Sequence, residues 1–305
     1  MRTKNQEFWD FQKAKEFVHS LKIDSYDAWL RYRKSNRRPL SIPSDPYRAY
    51  KHIWISWGDW LGTNNIHGSI RKYTVNDDFF KVWTSDMAYI LGFWWADGFI
   101  TSKQFSITQH KNDKYILEDF LKKMDSNYPV NFHYRNNFRF FLKSEEIVRD
   151  IKNLGGTEQK SLRNSFPINI PNKYICDFVR GYFDGDGSVC IDNKTKGLVI
   201  SFSSGSKTFT KKLAKVICVC LPKIKAHIYS KTVKKGTKVC NGILKEDSTN
   251  YRLVFFKNDS KSLYEFMFQN DSNMCLGRKK NKLEEMFGPV KCSQNTIGSV
   301  QPHRP

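Results

Sequence analysis

Cysteines at metal-ligand spacing are missing from this chain. Its seven cysteines include no CxxC pair, and Cys218 and Cys220 stand closer together than a zinc ribbon requires. An odd count without a paired framework argues against a disulfide scaffold, so the cysteines read as reduced and structural, in a reducing compartment. The seven histidines form no HExxH or HNH arrangement, which removes those metal-hydrolase signatures. No apolar run approaches the ~18 residues of a membrane span. Residues 1–10 carry acids in place of an apolar stretch, so no signal peptide is expected. Acid is itself missing from one long segment: between Asn193 and Lys245 there is no Asp or Glu, against thirteen lysines.

What is present is a basic, foldable chain. It has 305 residues, 39% apolar and 15% aromatic, with a net charge of +21. That size and composition support a real core, and the charge points to a polyanionic partner. The acid-free segment is not low-complexity. Phe202, Phe209, Leu213, Val216, Ile217, Leu221, Ile224, Ile228 and Tyr229 are interleaved with its lysines, so it can fold into a surface that tracks phosphates.

Two stretches resemble each other, Ile90–Gly98 (ILGFWWADG) and Val179–Gly187 (VRGYFDGDG). Each reads as a helix ending in Asp-Gly. Gly92 and Ala96 in the first, and Gly181 and Gly185 in the second, are small residues four apart on one helix face. Such a face lets two backbones approach closely. Gly98 and Gly187 suit a left-handed C-terminal cap. Asp97 and Asp186 then sit at helix C-termini, where an acid opposes the macrodipole. Two such acids brought together by paired helices call for a cation, and oxygen ligands favour Mg²⁺, with Mn²⁺ as a substitute.

The two stretches together resemble the nine-residue motif of the LAGLIDADG homing endonucleases, in the two-motif, single-chain form. Gly92, Ala96, Asp97, Gly98 and Gly181, Gly185, Asp186, Gly187 fit the pattern; Trp94, Trp95 and Arg180 replace smaller or acidic residues. The resemblance implies an α+β fold of two αββαββα repeats packed through their motif helices. It also implies a saddle of strands over DNA, and metal-binding acids at Asp97 and Asp186 with Gly98 and Gly187 beside them. A lysine at the end of each fourth strand would enter the active site, here Lys143 and Lys257. The implied activity is a metal-dependent double-strand break in DNA, at a long and nearly asymmetric site, by a monomer of the kind carried on mobile introns. Asp184 has Trp95 as its counterpart, and this asymmetry makes it read as a structural residue.

Hydrophobic periodicity fills in the units. Thr84-Ser85-Asp86 open the first motif helix, and Gln104–His110 alternates with period two. Asn112 reads as the cap of a helix to Met124, and Val130–Tyr134 with Phe138–Leu142 as a hairpin. Ser144 reads as the cap of a helix stopped by Gly155. The second unit repeats this order, with Asn172 and Ser206 as caps, strands near Lys225–Val233 and Tyr251–Phe256, a helix holding Leu263, Phe266 and Met267, and a final turn at Leu283–Phe287. Boundaries follow: 1–70 a small helical accessory module, 71–168 the first repeat with a polar linker, 169–288 the second repeat, 289–305 a mobile tail. The first module carries Trp54, Trp57, Gly58, Trp60, Leu61 and Gly62, and resembles a short Trp-rich repeat of algal and viral proteins. Its Arg31, Arg33, Arg37 and Arg38 are candidate phosphate contacts.

A polar strand face can reach base edges, and a two-stranded ribbon fits the major groove. The candidates are Gln104, Ser106, Thr108, His110, Asn131, His133, Arg135 and Arg139 in the first unit. In the second they are Ser201, Ser203, Lys225, His227, Tyr229, Lys231, Lys234 and Lys235. The same fold also admits a non-cleaving nucleic-acid binder, such as an intron maturase on RNA. Retention of both Asp97 and Asp186 favours the nuclease.

Overall fold

Side-chain caps set many of the element boundaries. The structure is a computed structural model describing residues 8–35, 37–63, 72–158, 165–192, 196–239, 242–270 and 274–290. The chain divides into two units, Met1–Thr74 and Val75–Pro305. The boundary puts Val75, Phe79, Phe80 and Trp83, expected as linker, against the core of the second unit, with Phe80 buried.

The first unit holds helices α1 (Phe11–Ser20), α2 (Tyr26–Lys34), α3 (Pro46–Ala49) and α4 (Trp57–Leu61). Asp10, Ser25, Asp45 and Ser56 each accept from the backbone N–H three residues on. Gly62 closes α4 in the left-handed region at φ 72°. Ala14, Val18, Trp29, Ile42, Tyr50, Trp60 and Leu61 make the core, ringed by Trp9, Phe11, Trp54 and Trp57. Aromatic area lets so short a segment bury a core of its own. Arg38 corrects one expectation. Its guanidinium donates to the Pro39 and Ile42 carbonyls inside the unit, so it holds a turn and is not presented to a phosphate.

In the second unit, α5 (Ser85–Asp97) is capped by Thr84, whose hydroxyl accepts from Met87 N at 3.0 Å. It leads into β1 (Gly98–Ile100), β2 (Gln104–His110), α6 (Lys114–Lys123), β3 (Asn131–Phe132), β4 (Asn137–Lys143) and α7 (Glu145–Asn153). Then come α8 (Ile175–Asp186), β5 (Gly187–Ile191), β6 (Leu198–Ser204), α9 (Lys207–Cys220), β7 (His227–Val233), β8 (Lys238–Val239), β9 (Gly242–Ile243), β10 (Ser248–Phe256), α10 (Lys257–Met267) and α11 (Gly277–Phe287). The two four-stranded antiparallel sheets have the same order, β1-β2-β4-β3 and β5-β6-β10-β7. The fold is therefore α+β, two pseudo-symmetric αββαββα repeats sharing one core.

Several local readings change. Short 3₁₀ turns, Lys111–Asp113 and Asn172–Tyr174, precede α6 and α8, so neither Asn112 nor Asn172 caps a helix. His110 Nδ1 accepts from Asn112 N instead. Gly98 and Gly187 are extended, with φ −85° and −86°, not left-handed. Glycine is needed there for space, because a Cβ would strike the Trp94 ring or Phe183. The final turn is a full helix from Gly277, and β8–β9 is an unforeseen antiparallel pair. Most of the tail, residues 291–305, lies outside the described residues.

Candidate functional site

The site is built by the contact between the motif helices. A Cβ on Gly92 would collide with the Phe178 carbonyl and approach Tyr182 N, and one on Gly181 would collide with the Tyr89 carbonyl and approach Phe93 N. The contacts are reciprocal, as a two-fold requires: residues 89 and 93 stand to 181 as 178 and 182 stand to 92. Gly185 meets Ala96, and a Cβ there would lie 3.3 Å from Asp97 Oδ2. The first motif acid thus lies against the residue preceding the second. Both Asp97 and Asp186 act on the same two neighbours, Tyr182 and Lys279.

Five further side chains complete the surroundings of the acids. Gln109 Nε2 donates to Asp97 Oδ2 at 2.5 Å. It shares the inward parity of Phe105 and Ile107, and a polar residue on that parity was the one sequence signal for it. The Tyr182 hydroxyl donates to the Ser203 carbonyl at 2.8 Å. Burial, and then the Asp186 charge, hold the Tyr182 phenol well above its ordinary pKa, so it stays protonated. Lys279, on α11, is buried with its ammonium on the carbonyls of Phe183, Asp184 and Gly187 at 2.7, 2.8 and 2.6 Å. It neutralises the C-terminal end of α8 where Asp186 adds negative charge. Burial lowers its pKa to about 8, against the opposing pull of Asp184. The Gly187 carbonyl, expected beside the metal, is thus engaged by a lysine.

Strand register supplies the other two. Gly98 pairs with Ile107 and Ile107 with Phe140; Gly187 pairs with Phe202 and Phe202 with Leu253. One step toward the acids, Thr108 faces Arg139 and Ser203 faces Arg252. One arginine per repeat therefore occupies the same place. Arg139 was expected and Arg252 was not. Arg139 lies 3.7 Å over the Phe141 ring, and Arg252 Nε donates to Ser201 Oγ at 3.0 Å.

The same register moves Lys143 and Lys257 away. Lys143 pairs with Gln104, three rows past the Ile107–Phe140 row and about 10 Å along the strand. Lys257 follows Phe256, whose partner Val199 lies three rows past Phe202. Both lysines are exposed at the sheet end opposite the acids. The end of the fourth strand is the wrong end, because that strand runs antiparallel to the second.

The strand candidates gather on one face of each sheet. Gln104, Thr108 and His110 on β2 line up with Asn137 and Arg139 on β4 and Asn131 on β3, with His133 at the hairpin. Arg135 lies in the turn, where it and Asn136 take φ of 46° and 67°, the left-handed pair of a tight hairpin. On the second sheet Ser203 and Arg252 line up with Tyr229, and Asn250 with Lys231. Lys225, His227, Tyr229, Lys231, Lys234 and Lys235 are exposed. Ser106 and Ser201 are not; they are 1% and 2% exposed, and their hydroxyls bond to the Phe99 carbonyl and to Ser188 and Arg252.

Asp184, which has Trp95 as its counterpart, and Arg180, a departure from the motif, are structural. Asp184 Oδ2 accepts from the Tyr89 hydroxyl at 2.6 Å and Leu276 N at 2.8 Å. Arg180 is fully buried, donating to Asp177, Met267 O and Met274 O. Among the described residues no group of three or more His, Cys, Asp or Glu is placed for a metal, and no helix is long and apolar enough to cross a membrane.

Comparison with known proteins bears on the second repeat directly. The family described as LAGLIDADG-like domain matches residues 173–266. The chain is 27% identical over 169 residues to an uncharacterized protein of Methanocaldococcus jannaschii, covering 53% of this chain and 62% of that one. It is 25% identical over 214 residues to the DNA-directed RNA polymerase subunit Rpo1C of the same organism, covering 67% of this chain and 21% of that one. The match thus spans less than two thirds of either relative. Among solved structures, the meganuclease I-SmaMI bound to uncleaveable DNA aligns at TM-score 0.44 and 14% identity, over 65% of this chain and 87% of that one. The LAGLIDADG meganuclease I-CpaMI bound to uncleaved DNA aligns at 0.43 and 14%, over 68% and 91%. Full-length DUF199/WhiA from Thermatoga maritima aligns at 0.41 and 14%, over 69% and 63%. Residues 173–266, with Asp186 at the end of the motif helix, are thus similar to the family described as LAGLIDADG-like domain.

Proposed function

We propose that the chain is a DNA endonuclease that hydrolyses both strands of a duplex, with one motif acid serving each strand. The observation that carries this is the placing of Asp97 against the residue preceding Asp186, where the motif helices meet and each opens into a sheet with a polar, basic outer face. The donor set fits a hard divalent cation. Mg²⁺ is commonly held by one or two carboxylates, the remaining positions going to water and substrate phosphate. Asp97 and Asp186 would hold it, and when bound it would supply charge stabilisation and a more acidic water.

The chain's own groups do the rest. Gln109 fixes the rotamer of Asp97 through Oδ2. Tyr182, kept protonated, adds no negative charge beside Asp186. Lys279 offsets the carbonyl dipoles and the acids before substrate arrives. Arg139 and Arg252, one strand-step from the glycine rows, are placed to meet a phosphate on each side.

The test is incubation with a mixture of randomised duplex DNA and randomised RNA in Mg²⁺, followed by sequencing of the bound nucleic acid and of cut ends. The expected result is one enriched site cut on both strands, with Asp97→Asn and Asp186→Asn each still binding but not cutting. Binding without cutting by the parent chain would replace the nuclease by a DNA-binding protein, and selection of RNA over duplex would favour a maturase. Absence of nucleic-acid binding would end all three readings.

A further inference from the structure

The repeats share a register but not a reach. In the first sheet, β4 begins at Asn137, opposite the last residue of β2, His110, and the chain turns back through Arg135 and Asn136. In the second, β6 ends at Ser204 opposite Tyr251, yet β10 and β7 stay paired through Asn250–Lys231, Thr249–Thr232 and Ser248–Val233. The ribbon overhangs its sheet by three rows, about 10 Å. Beyond it, residues 234–239 and 242–247 form an excursion that carries the antiparallel pair β8–β9.

This overhang has no core beneath it. From His227 to Thr232 every residue of β7 is exposed, with Tyr229 at 53% and Ile228 at 41%. Isolated two-stranded ribbons are marginal in water. This one is held by polar ties. The Thr232 and Thr249 hydroxyls bond at 2.9 Å. Lys234 Nζ and Lys235 N both donate to Asp247 at 2.8 Å. Gly236 N donates to Leu244 O and Leu244 N to Thr237 O. The outer surface is basic: Lys231, Lys234, Lys235, Lys238 and Lys245 are exposed, where the first repeat's turn offers His133 and Arg135.

We infer that the second ribbon and residues 234–239 and 242–247 beyond it form a one-sided clamp on duplex DNA, reaching past the segment covered by the first sheet and gripping the flanking backbone. The inference rests on the proposed DNA-binding function. Base pairs rise about 3.4 Å each, so the overhang alone spans about three more base pairs on one side. Tyr229, Lys231 and Asn250 share the sheet's outer face and continue the groove contact; Lys235, Lys238 and Lys245 lie beyond it and meet phosphates. The clamp lengthens and holds the site on one side while lying apart from the acids.

The test is hydroxyl-radical footprinting of the full chain on a duplex selected by that chain, beside two variants. One replaces residues 234–247 with Asn-Gly. The other is Lys235→Gln, Lys238→Gln, Lys245→Gln, which leaves the excursion's backbone intact. The shortened variant is expected to lose about three base pairs or more of protection at one end only. The triple variant should lower the salt slope of log Kd by about 2–3, at ~0.9 per phosphate. Retraction at neither end, or equally at both, overturns the clamp. If the shortened chain melts, the triple variant decides: a parental slope overturns it. Parent protein that protects no duplex overturns the DNA-binding function as well.

Discussion

The two repeats agree in backbone and disagree in side chains. Gly92 and Gly181 make the same contact in opposite directions, and both sheets pair in the same register. Around that frame the first repeat's Phe93, Trp95 and Gln109 have Tyr182, Asp184 and Ser204 as their counterparts in the second. Backbone-to-backbone contact admits no side chain, so the helix pairing stays symmetric. The neighbours of the acids are free to differ, and they do. Symmetry here belongs to whatever places the acids; asymmetry belongs to whatever tunes them and reaches the partner.

The largest expected effect tests the symmetric part. Asp97→Asn and Asp186→Asn should each lower cleavage by more than ~100-fold, the scale on which single charge-stabilising groups act, with binding retained. Single-turnover cleavage and gel-shift binding measure both. If one variant cuts at the parental rate while the other does not, the acids are not equivalent despite their placement.

Next in size is the helix contact. Gly92→Leu and Gly181→Leu press a side chain onto backbone on opposite helices, so they should cost the same, about 3 kcal/mol. For a unit of this size that is about 6–12 °C in Tm. Thermal melts of the two variants check it. Unequal losses would show that one repeat yields and the other does not. Cleavage should fall in both, because a shift of ~1 Å in catalytic geometry can cost ~100-fold.

How much of this was legible depends on how local each cause is. The motif helices could be read because small residues four apart and a terminal Asp-Gly are local signals. The strands could be read from alternation, and Ser144 and Ser206 from capping chemistry. Lys143 and Lys257 were misplaced because which end of the fourth strand meets the acids depends on hairpin register, a long-range property. Lys279 gave no signal at all: its carbonyl partners lie 92–96 residues earlier in the chain. Asn112 and Asn172 failed as caps because a 3₁₀ turn intervenes, with side-chain chemistry like that of a helix start.

A third prediction uses the position where Trp95 in the first repeat has Asp184 as its counterpart in the second. Trp95 donates its indole N–H to Ser165 O and does not titrate. Asp184 is 1% exposed, and Oδ1 has no hydrogen-bond partner among the described residues. Burial raises its pKa from 3.8 to about 6, against the Tyr89 and Leu276 hydrogen bonds and the Lys279 and Arg180 charges. The folded chain then holds this proton more tightly than the unfolded one. Its contribution is complete below about pH 4 and lost as pH rises through about 6, up to about 3 kcal/mol. Asp184→Asn keeps an acceptor for Tyr89 and removes the titration. Parent and variant melts should diverge between pH 4 and pH 6.5, the parent losing ground. Parallel curves would mean that Asp184 is charged throughout.

The smallest effect concerns the segment that ties the repeats together. Arg278 at the start of α11 forks onto Asp113 of the first repeat, with Nε at 3.1 and 3.0 Å and Nη2 at 2.9 Å. Beside it Gly277 N donates to the Tyr115 hydroxyl at 3.0 Å. The next residue, Lys279, holds the second motif helix. Adjacent side chains thus grip opposite repeats, an arrangement the first repeat's helices do not share among the described residues. The Asp113 side chain is 5% exposed but that of Arg278 is 56%, so solvent screens the pair and about 1 kcal/mol is expected from it. Arg278→Ala and Asp113→Asn should each cost about that much, and the double variant no more than either, because they remove one interaction. Urea denaturation of the four proteins measures the coupling, and added salt should shrink it. Additive losses would mean that Arg278 and Asp113 are neighbours without being a link, leaving Lys279 and the glycine contact to hold the acids in register.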